Sequence, residues 1–180
     1  MAAAERVSFK RDRFLLALYL LFLFGTTPLM PQLWSWAASW MGRGRRFLPE
    51  ASGGLSFLLV FATLLRGAKR FPLKLLMFAL VGGLFFFSMD RVGRPVEKIH
   101  FTEYGWLSFF IFRVLRHCQP SLRRYGGAFA GVCLIGLLDE CLQGFLPNRV
   151  FDLRDLWFNA LAGTFGLVIV ALAWDPLLLR

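Results

Sequence analysis

Long apolar runs separated by short charged segments govern what this chain can become. Runs at 14–30, 55–65, 72–89, 97–116, 125–145 and 153–174 fill most of its 180 residues. About 20 apolar residues in a helix cross a bilayer core, so runs of this kind predict membrane spans rather than a soluble core. The expected fold is all-α, a polytopic transmembrane helical bundle of five to six spans. The run at 55–65 is short, and the count turns on it. A mean hydropathy of +0.58 and 57% hydrophobic residues lie well above globular usage and agree with this.

The net charge of +10 raises nucleic-acid binding as a class. The basic residues cluster between apolar runs, so no nucleic acid is expected as a partner. Cys118, Cys133 and Cys141 form no CxxC pair, which argues against a disulfide framework or a zinc site, and they read as small apolar filler. The basic head at 1–13 followed by the 14–30 run has the outline of a secretory signal. Pro28, Pro31 and the lack of a small-x-small cleavage site favour a retained first span instead. Trp34, Trp36 and Trp40 mark 32–42 as an interfacial segment, since tryptophan prefers the headgroup level. His117, among arginines, reads as a surface residue.

Cytoplasmic loops carry the excess of Lys and Arg. With six spans and both ends inside, the basic clusters at 6–13, 66–74 and 113–124 fall on the cytoplasmic side. Among the acids only Glu5, Asp12 and Asp175 join them. The polar segments 90–104 and 139–159 then meet on the extracytoplasmic side. Dropping the second span moves the N-terminus across the membrane but leaves these two segments on one face.

At about 100° per residue, Glu97, His100, Glu103 and Tyr104 occupy about a third of the circumference of the 97–116 helix. Asp152, Asp155 and Asn159 share a narrow stripe with Gly163 and Gly166, a face suited to a neighbouring helix. Asp139 and Gln143 face together, with Glu140 to one side. These groups read structurally as helix caps and interhelical glue, with Asp152 or Asp155 at a helix N-terminus. They read functionally as a site, because ionisable groups at membrane depth are costly. Three chemistries are open: a hard divalent cation on the carboxylates, general acid–base work by a carboxylate and His100, or a phosphate or sugar headgroup gripped by Arg149 and His100.

The segment E-K-I-H-F-T-E-Y-G-W-L at 97–107, followed by D-E-C-L-Q-G-F-L-P-N-R-V-F-D-L-R-D-L-W-F-N-A-L-A-G at 139–163, resembles the VanZ-like family of bacterial membrane proteins. The matching positions are Lys98, His100, Phe101, Tyr104 and Leu107, then Asp139, Glu140, Gln143, Phe145, Pro147, Arg149, Asp152, Asp155, Asn159 and Gly163. One departure is that a single Ile99 separates Lys98 from His100, where some members have two residues. The resemblance covers residues 90–174 and divides the chain into N-terminal spans at 1–89 and a VanZ-like helical core at 90–174. The family is named for a protein that raises tolerance to the glycopeptide antibiotic teicoplanin. The resemblance therefore implies a multi-pass protein of the bacterial cytoplasmic membrane and cell envelope, with membrane lipid and a lipid-linked or glycan ligand as partners. A homo-oligomer is left open.

The expected function is non-enzymatic: an extracytoplasmic polar cleft that binds a lipid-linked, glycan or glycopeptide headgroup. The alternative is a membrane enzyme on a lipid-linked substrate, and a small ion-coupled carrier ranks last. The candidate catalytic residues are Glu97, His100, Glu103, Asp139, Glu140 and Asp155. The candidate binding residues are Lys98, His100, Tyr104, Gln143, Arg149, Asp152 and Asn159. No cofactor is expected, with a divalent cation as the open alternative and no metal ligands assigned.

Overall fold

Every apolar run becomes a helix. In the computed structural model, which describes residues 3–64, 71–92, 95–147 and 149–174, the order is α1 (Ala3–Thr26), α2 (Met30–Met41), a 3-10 segment (Gly42–Phe47), α3 (Leu48–Leu64), α4 (Phe71–Asp90), α5 (Pro95–Leu115), α6 (Ser121–Phe145) and α7 (Leu153–Trp174). No strand occurs among the described residues. The punctuation follows the prolines. Pro28 and Pro31 flank the break after α1, and the chain bends there by 75°. Pro120 sits extended immediately before α6. Asn148, between α6 and α7, lies outside the described residues.

α5 is the centre of the bundle and touches α1, α3, α6 and α7. It also carries a run of polar side chains, Lys98, His100, Thr102, Glu103, Ser108 and Arg113. Enclosing it in other helices keeps those groups out of lipid. Phe101, Tyr104 and Leu107 of α5 are buried with Phe85 of α4, Val132 of α6 and Val170 of α7. Glycines set the approach distances, as their shared face predicted. A Cβ on Gly166 would collide with the Gly105 carbonyl oxygen and Ser108 Oγ, so α5 and α7 meet backbone to backbone. A Cβ on Gly163 would come within 2.6 Å of Val132 Cγ1, and one on Gly131 within 3.2 Å of Ile111 Cδ1.

Three helices among the described residues, α4, α6 and α7, are long and apolar enough to cross a membrane, or four spans result if the bent pair formed by α1 and the segment after it counts as one. The expectation of an all-α chain with membrane-crossing helices holds, whereas three or four candidate spans stand where five or six were expected. The reasons are local. α1 opens with Arg6, Lys10, Arg11, Asp12 and Arg13, α3 has only 17 residues, and α5 carries charge at both ends. The outward face of α4 is a continuous apolar stripe of Leu73, Leu76, Leu80, Leu84 and Phe87, all exposed. Such a stripe on a helix whose other face is buried suits lipid rather than water.

Candidate functional site

α1 and α5 are antiparallel, and each end of the pair holds a polar cluster. At one end the buried Asp12 carboxylate accepts hydrogen bonds from Arg113 and from Arg116 (3.2 Å), and His117 Nε2 lies 3.0 Å from it. His117 is therefore not a surface residue: its side chain is buried against Asp12. Cys118 and Cys141 likewise are exposed rather than core filler.

At the other end the start of α5, the end of α6 and the start of α7 converge, joined by the end of α1. Asp139, wholly buried, is the hub. Thr27 Oγ1 donates to its Oδ1 (2.8 Å), and the Tyr104 hydroxyl and Gln143 Nε2 both donate to its Oδ2 (3.2 Å each). Gln143 also donates to Glu140 Oε1 at 3.3 Å. Glu140 Oε2 accepts the Asp152 backbone N–H at 3.1 Å, which ties the end of α6 to the start of α7. Asn159 is buried beside Tyr104, where the missing side chain of Gly136 leaves it room.

Several of these groups are structural. Asp152 is exposed, and its Oδ1 accepts the Arg154 N–H at 2.8 Å, the geometry of an N-cap on α7. Asp155, in the first turn of α7, lies within electrostatic reach of Glu140. Lys98 turns away from His100 and pairs with Glu50 of α3 (3.0 Å) and Asp90 of α4 (3.4 Å). Glu97 lies in the first turn of α5, and its side chain falls outside the described residues.

The network is not fully paired. His100 Nδ1 lies 3.0 Å from Glu103 Oε2, at ion-pair distance but without hydrogen-bond geometry. His100 Nε2 and Arg149 Nε are buried with no hydrogen-bond partner. Arg149, on the loop between α6 and α7, lies within electrostatic reach of His100. Leaving a buried polar atom unpaired costs about 1–3 kcal/mol, so these three positions are where the cluster is incomplete as glue.

The expected cleft is closed in this structure. Asp139, Glu140, Gln143 and Asn159 are each buried to within 3%, and Phe151 of the α6–α7 loop lies against Gly144. A separate cavity of about 50 Å³ lies between α3, α5 and α7, lined by Phe57, Phe85, Trp106 and Ile169 among others. Among the described residues, no group of three or more His, Cys, Asp or Glu side chains is arranged to hold a metal ion.

Sequence reasoning missed Thr27, Tyr19, Glu50 and Asp12. Tyr19 donates its hydroxyl to the Glu103 carbonyl oxygen at 2.8 Å, so α1 supports the site from below. Thr26-Thr27-Pro28 at the end of an apolar run was the available signal, since hydroxyls there have to find a partner.

Compared with known families, residues 6–174 match the family described as VanZ/LLP1. The match extends well into the N-terminal half, beyond the motif-bearing residues 90–174. The chain shows no match among curated proteins or solved structures.

Proposed function

Because the chain belongs to the VanZ/LLP1 family, we propose that it is a VanZ-like protein of the bacterial cytoplasmic membrane whose polar network takes up the headgroup of a lipid-linked, glycan or glycopeptide ligand. In this reading the bundle has five or six spans, the basic end with Arg113 and Arg116 faces the cytoplasm, and the Asp139 end faces outward. The basic clusters and the positive-inside bias support that orientation. The observation that carries the reading is the unpaired set: His100 Nε2 and Arg149 Nε beside Glu103 Oε2. A cluster that only glued helices would gain by satisfying them. A headgroup rich in hydroxyl and phosphate oxygens supplies acceptors for Arg149 and for His100.

Binding requires the network to open, and the α6–α7 loop that carries Arg149 is the element that covers it. The test is binding of teicoplanin and of a polyprenyl-diphosphate-linked disaccharide peptide to the purified protein. Wild type binds one of them, and Asp139→Ala and Arg149→Ala weaken it by about tenfold or more, the loss of one charge-assisted bond. Equal binding by wild type and both variants refutes the reading.

The His100–Glu103 pair favours one alternative, a membrane enzyme acting on a lipid-linked substrate. The pair would serve as general base and its orienting carboxylate. Turnover of the lipid-linked probe by wild type, lost in His100→Ala and in Glu103→Gln, would decide for it. Binding without turnover decides against it.

A further inference from the structure

Between the end of α1 and the start of α3 lies an element that the buried network does not use. α2 and the 3-10 segment carry Trp34, Trp36, Trp40, Arg43, Arg45 and Arg46, and no Asp or Glu occurs from residue 13 to residue 49. Gly42 ends α2 with a left-handed φ of +52° and donates its N–H to the Ala38 carbonyl. Residues with a Cβ rarely take that conformation. The reversal brings Arg45 back over Trp34, its guanidinium 5.4 Å from the ring centroid. Trp34, Ala38, Gly42 and the three arginines line an open groove of about 640 Å³. Trp36 and Trp40 are exposed beside it, with ring centroids 5.9 Å apart.

The position in the bundle is informative. The element joins Thr27, which touches Asp139, to Glu50, which touches Lys98, so it lies at the network end and not at the end of Arg113 and Arg116. In the proposed orientation the positive-inside bias gives no reason for three arginines there. Nor do they neutralise an acid, since no carboxylate among the described residues pairs with them.

We propose that this groove binds the phosphate-bearing headgroup of an anionic membrane phospholipid. Exposed tryptophans place α2 at headgroup depth. A guanidinium meets phosphate oxygens with two parallel N–H bonds, and stacking on Trp34 holds Arg45 ready for that geometry. The inference does not depend on what the buried network binds. The groove keeps its charge and its aromatic floor whichever ligand that network takes.

The experiment uses the full chain in neutral detergent, titrated with phosphatidylglycerol and with phosphatidylcholine, and the retained lipid read by native mass spectrometry. Wild type prefers phosphatidylglycerol. Each basic residue near an anionic surface strengthens binding roughly fivefold, so the variant R43Q/R45Q/R46Q loses on the order of a hundredfold in that preference. R45K, which keeps the charge and loses the fork and the stack, loses severalfold and serves if the triple variant does not fold. R6Q/K10Q, which removes charge from the opposite end, keeps the preference. An undiminished preference in the arginine variants overturns the proposal. So does an equal loss in R6Q/K10Q, which would make the effect one of net charge. Displacement of the lipid by millimolar inorganic phosphate overturns it as well, since the groove would then be a free-anion site.

Discussion

Replacing Gly166 with alanine tests the closest helix contact in the bundle. The added methyl meets the Gly105 carbonyl oxygen and Ser108 Oγ, and Ser108 is itself committed to that carbonyl at 2.7 Å. The obstacle is backbone, so α5 and α7 have to separate. Overpacking of this kind costs about 1–3 kcal/mol, against about 1 kcal/mol gained from the better helix propensity of alanine. The net expectation is a loss of up to about 2 kcal/mol, the difference of those two figures. Gly163→Ala meets the side chain of Val132 at 2.6 Å rather than backbone and costs less, about 1 kcal/mol at most. Gly83→Ala on α4 meets nothing within 4 Å and gains up to about 1 kcal/mol. Reversible unfolding of the purified variants in mixed micelles, followed by far-UV circular dichroism, measures all three. The predicted order of stability is Gly83→Ala, then Gly163→Ala, then Gly166→Ala. If Gly166→Ala is as stable as Gly83→Ala, the α5–α7 approach described above is wrong, and so is the seating of Tyr104 beside Asn159 of α7.

Other outcomes follow from the two polar ends. Asp139→Ala removes the acceptor shared by Thr27, Tyr104 and Gln143 and lowers stability by about 2 kcal/mol, at membrane values near 0.6 kcal/mol per bond. A double-mutant cycle of Asp139→Ala with Thr27→Val checks it by showing positive coupling. Asp12→Ala leaves Arg113, Arg116 and His117 without their carboxylate partner and costs about 3 kcal/mol, the figure for breaking a buried pair. Its destabilisation shrinks when Arg113→Ala is present. In cells carrying Cys133→Ser, an impermeant maleimide labels Cys141 from outside and reaches Cys118 only after permeabilisation. The reverse pattern would invert the proposed orientation.

The C-terminal half was legible because its signals are local. The start of α7 at Leu153 follows its Asp152 cap, and the end of α6 at Phe145 precedes Pro147. Asp139, Tyr104 and Asn159 meet because helical spacing alone puts them on inward faces at the same end. Partner choice was not legible. Nothing in the spacing says that Lys98 prefers Glu50 and Asp90 to the motif, that Asp12 gathers Arg113 and His117 across a hundred residues, or that Thr27 reaches Asp139. Length and hydropathy single out three or four spans where five or six were expected, and α5 is one of the helices they leave out. Hydropathy scores a side chain against lipid, and α5 is surrounded by protein.

That enclosure bears on how the molecule is made. A helix with Lys98, His100, Glu103 and Arg113 has less tendency to enter a bilayer alone than its apolar neighbours, since charged side chains oppose insertion. Two of the helices that shield it, α6 and α7, are synthesised after it. A chain cut after residue 120 would lack both, and the buried polar face of α5 would lose its cover.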